Sequence, residues 1–249
     1  MAISTVFVIK NGIKQGYCFW ESLLSCLPFT DELIISDGFS NDGTFEALES
    51  FTNRYNSQVP IVLYKDDWND KSYHGEIISK VTHRAMEKTT KDWILYLQAD
   101  EVYHEYIGSY IKDISKSDYN SVYFPFYHFI RSWEPSRNAA YNVAIRMARR
   151  NQNPRLKGDG WTFDKIDPVA PSNLCPKPIY HFAWVFPKQN DVKDIEDANI
   201  YINFPDYQEK MKSACKLLKI SKKPYPRTDF NDFPELSRRF VGKGEYTLP

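Results

Sequence analysis

The sequence has 249 residues, of which 42% are hydrophobic and 26% charged, and this is enough apolar material for one large α/β domain with or without a C-terminal extension. Its 32 Lys and Arg residues balance 32 Asp and Glu residues, so bulk electrostatics does not favour nucleic acid as a partner. Aromatic residues reach 16%, and their rings provide flat contact surfaces either for the core or for sugars and bases.

The cysteines and the N-terminus bear on the compartment of the protein. None of Cys18, Cys26, Cys175 and Cys215 has CxxC spacing, which favours reduced thiols in a cytoplasmic protein. The first apolar run, residues 6–9, has no basic segment before it and is too short for a signal peptide. No stretch approaches the roughly 20 apolar residues that a membrane span requires.

Short apolar runs alternate with helical periodicity through the first hundred residues. Strands are predicted at residues 6–9, 31–37, 60–64 and 92–98. Helices are predicted between them, at residues 17–27, 42–55 and about 73–89. This alternation predicts an α/β fold with one mixed, mostly parallel sheet that is flanked by helices. Ligands of such sheets bind beyond the carboxyl ends of the strands.

The pattern is less regular after residue 105. Residues 121–130 are apolar and aromatic, but Pro125 argues against a central strand because proline cannot donate a ladder hydrogen bond. Strands are predicted at residues 143–147 and 179–185, a helix at 191–219, and a partly mobile tail over about the last thirty residues. A basic run is expected to be solvated surface; it contains Arg146, Arg149, Arg150, Arg155 and Lys157.

Acidic side chains follow two of the predicted parallel strands. Asp37 ends the second strand, where a carboxylate could accept hydrogen bonds from a ribose or a base edge. Asp100 and Glu101 follow the fourth strand, where carboxylate oxygens could hold a hard divalent cation. Two structural alternatives stay open: Asp37 as a turn residue before Gly38, and the second pair as the cap and first turn of a helix.

Together these segments resemble family 2 glycosyltransferases. The resemblance rests on the order of three segments, residues 7–12, 31–44 and 92–101. It implies a single Rossmann-like domain of the A-type glycosyltransferase fold, here residues 1–188, with a nucleotide-sugar-binding half (1–105) and an acceptor half (106–188). Residues 189–249 would form a helical C-terminal extension. The resemblance further implies that Asp37 contacts the nucleoside and that Asp100 binds Mg²⁺ or Mn²⁺ beside the donor diphosphate.

The resemblance also assigns neighbouring residues to the donor site. The backbone around Ile9 and Asn11 would flank the base, Gln98 could hydrogen-bond the ribose or a metal-bound water, and Ala99 would belong to the same nucleotide-sugar site. Gln98 stands where the family usually has the first acid of its Asp-x-Asp motif, so one negative charge is missing. Trp68, in the loop after the third strand, could stack on the base or sugar, or pin its own loop to the protein.

Two later segments fit the same family. Residues 179–185 resemble the strand that brings a histidine to the metal, here His181; the alternative is a buried histidine bonded to a backbone carbonyl. Residues 157–164 lie where the family has its acceptor-side acid. Asp159 is the first choice for the catalytic base, since the flanking glycines permit close approach, and Asp164 is the second. A turn acid is the alternative for Asp159.

The resulting expectation is a glycosyltransferase that moves a sugar from a nucleotide-diphosphate donor to an acceptor hydroxyl, with inversion and with a divalent metal. A glycan is the favoured acceptor, and a nucleic acid is the second option. Three alternatives remain: a nucleotidyltransferase, for which residues 11–16 supply no convincing glycine-rich signature; a non-catalytic binding relative, which Gln98 keeps open; and a transferase that modifies nucleic-acid bases.

Overall fold

The computed structural model describes residues 1–68, 76–135, 143–156, 158–164, 166, 172–186, 233–243 and 245–249. Its strands are β1 (Ile3–Ile9), β2 (Glu32–Asp37), β3 (Ile61–Lys65), β4 (Trp93–Leu97), β5 (Glu101–Tyr103), β6 (Ser121–Ile130), β7 (Val143–Arg149), β8 (Arg155–Leu156), β9 (Phe163–Asp164), β10 (Ser172–Leu174) and β11 (Ile179–Trp184). Its α-helices are α1 (Gly12–Gln15), α2 (Phe19–Cys26), α3 (Thr44–Tyr55), α4 (Glu76–Met86) and α5 (Ile107–Ser115). Short 3₁₀ turns cover Leu27–Phe29, Arg150–Gln152 and Glu235–Ser237.

One mixed sheet organises the chain. Its strand order is β3-β2-β1-β4-β7-β6-β11-β5, and β10 also pairs with β6. The four strands β1 to β4 run parallel to one another, whereas β7 is antiparallel to both β4 and β6, and β5 is antiparallel to β11. Strands β8 and β9 form a separate two-stranded unit. The predicted α/β class, with a mixed sheet and flanking helices, is confirmed.

Strand β1 lies in the middle of the parallel part and is buried along its whole length. Its side chains alternate between the two faces of the sheet: Phe7 and Ile9 pack with α2 and α3 on one face, and Val6 and Val8 pack with α4 on the other. Because both faces are covered, residues 6–9 of β1 form a continuous hydrophobic run, whereas the buried hydroxyls of Ser4 and Thr5 are hydrogen-bonded to Glu32 and Thr30. Burying each such side chain contributes about 1.5–3 kcal/mol.

The predicted elements of the first hundred residues are present, with shifted ends. The helix predicted at residues 17–27 begins at Phe19 and gives way to the 3₁₀ turn Leu27–Phe29, which contains Pro28. The helix predicted at about residues 73–89 is α4, Glu76–Met86, and its first predicted residues, 73–75, lie outside the described residues. Residues 100 and 101 do not cap a helix, because Glu101 begins β5 and α5 begins only at Ile107.

The expectation against a central strand at residues 121–130 is wrong. These ten residues form β6, which is interior to the sheet. On one side β6 pairs first with β10, as far as Tyr123, and then with β11, from Phe126 onward. Pro125 falls between these two pairings, where a missing N–H does not interrupt either ladder. A proline is therefore accommodated in an interior strand because the strand changes partner at that point.

The described part of the C-terminal segment is packed against the domain. Phe233, Phe240 and Tyr246 are buried in a cluster with aromatic residues of β6 and β11. The Tyr246 hydroxyl donates a hydrogen bond to Glu21 Oε2 over 2.6 Å, and Arg239 donates to the other oxygen of the same carboxylate. The predicted mobile tail is therefore wrong for residues 233–243 and 245–249. The helix predicted at residues 191–219 and the domain boundary at 188 lie outside the described residues.

Two further findings concern the described part of the chain. None of its helices is long and apolar enough to cross a membrane. Cys18, Cys26 and Cys175 are buried free thiols, and Cys215 lies outside the described residues. Burial raises the pKa of the Cys26 thiol to about 12, so this group stays protonated and unreactive at neutral pH.

Candidate active site

The carboxyl edge of the parallel strands brings the predicted donor residues together. In the sheet register Ile9 pairs with Asp37, and Phe7 pairs with Leu97, so β1, β2 and β4 end at the same edge. Gln98, Ala99 and Asp100 follow β4 directly. The sequence placed these groups on one edge because parallel strands share a direction, and the observed register agrees.

Asp37 is the last residue of β2 and has no exposed surface. Its Oδ2 accepts a hydrogen bond from the Ser40 N–H over 2.8 Å, whereas its buried Oδ1 has no hydrogen-bond partner among the described residues. Burial raises the pKa of this carboxyl, and the bonds from Ser40 and the charge of Lys65 offset part of that rise. Buried acceptors are normally paired, so an unpaired carboxylate oxygen at a sheet edge is suited to a ligand that brings an N–H or O–H donor.

The loops after β1 and β2 are joined by their backbones. The Ile9 carbonyl accepts from the Gly38 N–H over 2.8 Å, and the Asn11 N–H donates to Ser40 Oγ over 2.8 Å. Asn11 has a left-handed backbone (φ 51°), and its side-chain oxygen accepts from the Asn41 N–H over 3.1 Å. Ile9 and Asn11 therefore form a fixed wall beside Asp37, and their contact with the base stays a prediction.

Trp68 covers the backbone of Gly38. Its indole atoms Cδ2 and Cε2 lie only 2.9 Å from where a Cβ on Gly38 would stand, so no side chain fits there. Trp68 is half-buried, and its buried Nε1 has no hydrogen-bond partner among the described residues. The ring thus holds the loop after β3 against the loop after β2. Stacking of Trp68 on a ligand stays a prediction.

The side chains of Asp100 and His181 lie next to each other at one end of the site. His181 Nε2 lies 3.3 Å from Asp100 Oδ1, and the two side chains are 13% and 12% exposed. The backbones are also joined, since the Phe182 N–H donates to the Asp100 carbonyl over 2.8 Å, and β11 runs antiparallel to β5. Two positions 81 residues apart in sequence thus present a carboxylate oxygen and an imidazole nitrogen side by side.

This separation suits two neighbouring ligands of one metal ion. Two bonds of about 2.1 Å at an angle of about 90–109° put their ligand atoms about 3.0–3.4 Å apart. Within the described part of the chain, no set of three or more His, Cys, Asp or Glu side chains converges as metal ligands would. Asp100 and His181 therefore fit two coordination positions, and a bound ion would take its other ligands from elsewhere.

Gln98 and Ala99 have partners within the protein. Gln98 Oε1 accepts from Arg146 Nη2 over 3.1 Å, and Gln98 Nε2 donates to the Tyr96 hydroxyl over 3.3 Å. The Ala99 carbonyl accepts from Ser22 Oγ over 3.0 Å. The side chain that replaces the family's first acid is thus held by a buried arginine.

Arg146 corrects the expectation that the basic run is solvated surface. It has no exposed surface, and its Nη2 lies 2.5 Å from Glu101 Oε1, whose side chain is also fully buried. Its Nη1 donates to the carbonyls of Gly160 and Trp161 over 2.9 and 2.7 Å. The reason is position: Arg146 occupies the middle of β7, next to β4 in the sheet, where side chains point into the protein. This role was missed because a run of cations in sequence does not show that alternate members of a strand face opposite sides.

The two candidate catalytic acids lie in and beyond the loop that Arg146 holds. Asp159 is half-buried between Gly158 and Gly160, both of which have left-handed backbones. Ser79 Oγ of α4 donates to the Gly158 carbonyl, which attaches the loop to the carboxyl edge of the sheet. Asp164 is exposed at the end of β9. The assignment of either acid as the base stays a prediction.

His128 is a further residue of this site that the sequence reading missed. Its Nδ1 lies 2.7 Å from His181 Nδ1, and its side chain is buried, since the residue is 3% exposed. It lies on β6, whose position inside the sheet Pro125 argued against. The sequence did show His128 inside an apolar run. Without a predicted central strand at β6, however, nothing indicated that His128 lies beside His181.

Comparisons with known proteins concern the fold. No protein-family model and no curated protein sequence matches the chain. The mannosyltransferase PcManGT from Pyrobaculum calidifontis, solved with GDP-Man and Mn²⁺, aligns with a TM-score of 0.52 at 11% identity, over 87% of this chain and 74% of that one. S. aureus TarS 1–349, solved with UDP, aligns with a TM-score of 0.50 at 12% identity, over 96% of this chain and 77% of that one.

Identities this low bear on the architecture and not on the reaction. The chain also spans only 44% of the longer TarS structure to which it is similar. The agreement nevertheless extends over most of this chain. The protein therefore has the A-type fold of family 2-like glycosyltransferases, as its sequence motifs indicated.

Proposed function

We propose that this protein is a metal-dependent glycosyltransferase that moves a sugar from a nucleotide-diphosphate donor to an acceptor hydroxyl. The observation that carries the proposal is the arrangement at one sheet edge of Asp37, with its unpaired buried oxygen, and the Asp100–His181 pair, with its 3.3 Å separation. A donor with a nucleoside at one end and a diphosphate at the other matches these two features in order. The fold supports the same conclusion, since the mannosyltransferase that shares it was solved with GDP-Man and Mn²⁺.

The nucleoside is proposed to bind at Asp37. Leaving a buried acceptor unpaired costs about 1–3 kcal/mol, and a donor group of the ligand would remove that cost. Nucleosides offer such donors on the base edge and on the ribose. Ile9 and Asn11 would flank the base, and Trp68 would close the side of the site beyond Gly38.

Asp100 and His181 are proposed to hold the divalent metal. Oxygen ligands suit both Mg²⁺ and Mn²⁺, and the imidazole nitrogen favours Mn²⁺ of the two. The bound ion would supply positive charge that stabilises the leaving diphosphate. Gln98 contributes no negative charge here, so affinity for the ion is expected to depend strongly on the donor's phosphates.

The acceptor is proposed to be activated by a carboxylate of the segment 158–164. As the acceptor oxygen bonds to the anomeric carbon, the bond from that carbon to the diphosphate breaks and the hydroxyl proton passes to the base. Asp159 is the first candidate and Asp164 the second, and attack from the face opposite the diphosphate would invert the anomeric centre. Arg146 and Ser79 hold the backbone of this segment in place, which favours a preorganised site.

A glycan is the proposed class of acceptor, and the structure weakens the support for nucleic acid. Of the basic run, Arg146 is buried against Glu101, and Arg149 stacks on Trp93 and donates to backbone carbonyls. The described members that remain, Arg150 and Arg155, do not make an extended basic face.

A non-catalytic relative is the second candidate, and Gln98 is the observation that favours it. The position of the family's first acid is neutral and already accepts a hydrogen bond from Arg146. Such a protein would bind the donor at Asp37 without transferring the sugar. Binding and turnover therefore have to be measured separately.

Thermal unfolding with UDP, GDP, CDP, ADP and dTDP, each with Mn²⁺ and again with EDTA, tests the site. A ligand at 100 times its Kd adds about 2.7 kcal/mol, or roughly 5–10 °C for a chain of this size. We expect one nucleotide to give this shift, Asp37→Asn and Asp100→Asn to reduce it, and EDTA to remove most of it. Asp92→Asn is the matched control, because Asp92 accepts the Ala2 N–H just before the start of β4, at the opposite edge of the sheet.

Transfer is then measured with the sugar nucleotide of the base that binds. Release of the nucleoside diphosphate, accelerated by an acceptor glycan, is the expected result. Binding with neither transfer nor slow donor hydrolysis would move the assignment to the non-catalytic relative. No shift with any of the five nucleotides would refute the donor site itself.

A further inference from the structure

A continuous chain of side-chain contacts runs inward from Asp100. His181 lies between Asp100 and His128: its Nε2 is 3.3 Å from Asp100 Oδ1, and its Nδ1 is 2.7 Å from His128 Nδ1. The two histidines are direct neighbours in the sheet, because β11 and β6 pair with His181 opposite His128. Both nitrogens of the His181 ring are therefore engaged, one toward the site and one toward the interior.

Packing fixes the orientation of the inner ring. His128 is 3% exposed, and the Phe126 ring stacks on it at a centroid distance of 5.3 Å and an interplanar angle of 17°. The two imidazoles meet nearly at right angles, at 85°, which directs Nδ1 of one ring at Nδ1 of the other. A 2.7 Å separation of two ring nitrogens requires one of them to donate and the other to accept.

The position of the shared proton follows from what His181 Nε2 faces. Beside the Asp100 carboxylate, Nε2 of neutral His181 carries the proton, so its Nδ1 accepts from the Nδ1–H of His128. When Nε2 instead gives its lone pair to a metal ion, the proton of neutral His181 must be on Nδ1. His128 Nδ1 then becomes the acceptor, and the proton of His128 moves to its Nε2.

We propose that His128 is a positioning residue that orients His181 and fixes its metal-binding tautomer by accepting the His181 Nδ1–H. The inference rests on the proposed metal role of Asp100 and His181 and adds the group that supports it. Metal-binding histidines commonly donate their second N–H to a protein acceptor, which fixes the ring and increases the basicity of the ligand nitrogen. Here the acceptor is a second imidazole instead of a carboxylate or a carbonyl.

Mn²⁺ titration followed by electron paramagnetic resonance tests this role in the folded full chain. His128→Phe keeps the ring beside Phe126 but removes the acceptor, and we expect the Kd for Mn²⁺ to rise about 10- to 100-fold. His128→Asn places an amide oxygen near the lost Nδ1 and is expected to recover most of the affinity. His104→Phe is the matched control, since His104 is a buried histidine (5% exposed) that stacks on Tyr106, and its loss is expected to leave the Kd unchanged.

A double-mutant comparison separates this role from a general loss of structure. If His128 acts through His181, His128→Phe should weaken Mn²⁺ binding in the wild-type background and have no further effect in His181→Phe. Thermal midpoints in EDTA identify any variant that has simply unfolded. A His128→Phe protein that is folded and binds Mn²⁺ as the wild type does would overturn the inference.

Nitrogen-15 spectra of the histidines provide a readout that packing alone would not change. With Zn²⁺ as a diamagnetic probe, we expect His181 to become protonated at Nδ1 and His128 at Nε2, reversing the arrangement in the metal-free protein. Unchanged tautomers with Zn²⁺ bound would also overturn the inference. If the wild type binds neither Mn²⁺ nor Zn²⁺, either alone or together with any of the five nucleoside diphosphates, the proposed metal site is wrong as well, whereas normal binding with unchanged tautomers refutes only the role of His128.

Discussion

Arg146 and Glu101 form an ion pair in which neither side chain has any exposed surface, with 2.5 Å between Nη2 and Oε1. The same guanidinium donates to the Gly160 and Trp161 carbonyls, so one side chain joins the segment after β4 to the loop that carries Asp159. Taking two charges out of water offsets most of their attraction, and such a pair is weak evidence for stability. Removing one partner is a different matter, because the other charge is then left buried alone.

Arg146→Met is therefore expected to destabilise the fold by about 3–5 kcal/mol, measured by urea unfolding. The double variant Arg146→Met with Glu101→Gln should recover a large part of this loss, since no unpaired charge remains. Arg150→Met is the matched control, as Arg150 is the exposed neighbour in the same basic run, and it should change stability by less than about 0.5 kcal/mol. If Arg146→Met lowered the free energy of unfolding as little as Arg150→Met does, this result would contradict the buried ion pair.

Glu32 and Asp37 stand at opposite ends of β2, and their pKa values shift in opposite directions. Burial acts on both carboxyls to raise the pKa. At Glu32, hydrogen bonds from Ser4 and from the backbone and hydroxyl of Thr90, together with the charge of Lys91, outweigh burial and lower the pKa. At Asp37 burial prevails because one oxygen lacks a partner. The carboxylate at the start of β2, Glu32, therefore stabilises the fold, whereas the carboxylate at its end, Asp37, destabilises it.

Asp37→Asn is expected to raise the thermal midpoint at pH 7–8 while it weakens nucleotide binding. An acid whose pKa is raised by folding binds its proton more tightly in the folded state, so its stabilising contribution is full below about pH 4 and is lost as the pH rises through the raised value. The gain in Asp37→Asn should consequently shrink toward pH 4. A lower midpoint for Asp37→Asn at pH 7 would show that the unpaired carboxylate is not a cost.

Glu32→Gln is a control on the same strand, and it is expected to shift the thermal midpoint in the opposite direction to Asp37→Asn. The lowered pKa of Glu32 gives stability that is present above about pH 4.5 and is lost as the pH falls through the folded value. Its substitution should lower the midpoint at pH 7, with a smaller loss in more acidic solution, and should leave the nucleotide-dependent shift intact.

The sequence sufficed for the parallel half of the sheet and for the residues at its edge. The parallel strands contain short apolar runs, such as residues 6–9 of β1, and are separated by helical periodicity, so their direction and the position of Asp37 and Asp100 follow from the pattern. Arg146 and His128 did not follow, because their roles depend on which strand lies beside which. Pro125 made β6 hard to recognise from the sequence. A sequence does not show whether a proline lies between two successive strand pairings, as here, or ends a strand.

Gly160 and Gly158 offer a matched pair for testing the loop around Asp159. Both have left-handed backbones, with φ values of 86° and 55°. A Cβ at Gly160 would lie 2.9 Å from the Tyr96 hydroxyl, whereas a Cβ at Gly158 would meet nothing within 4 Å. Gly158→Ala should thus cost about 1–2 kcal/mol from its backbone alone, and Gly160→Ala should cost more, because the collision with Tyr96 adds about 1–3 kcal/mol.

Urea unfolding of the two variants, and of Gly160→Ala combined with Tyr96→Phe, measures the difference. Removing the hydroxyl should recover part of the extra cost in the double variant, beyond the effect of Tyr96→Phe alone. Equal costs for the two alanine variants would mean that the loop does not pack on Tyr96.

Asp159 and Asp164 differ in ways that a comparison of turnover can resolve. Asp159 is half-buried in a loop held by Arg146 and Ser79, while Asp164 is exposed at the end of β9. If Asp159 is the base, Asp159→Asn should lower kcat for transfer by about 10²–10⁴-fold and leave the nucleotide-dependent thermal shift unchanged. The reverse result, with turnover lost in Asp164→Asn and kept in Asp159→Asn, would assign the base to β9 and leave Asp159 with a structural role in the turn.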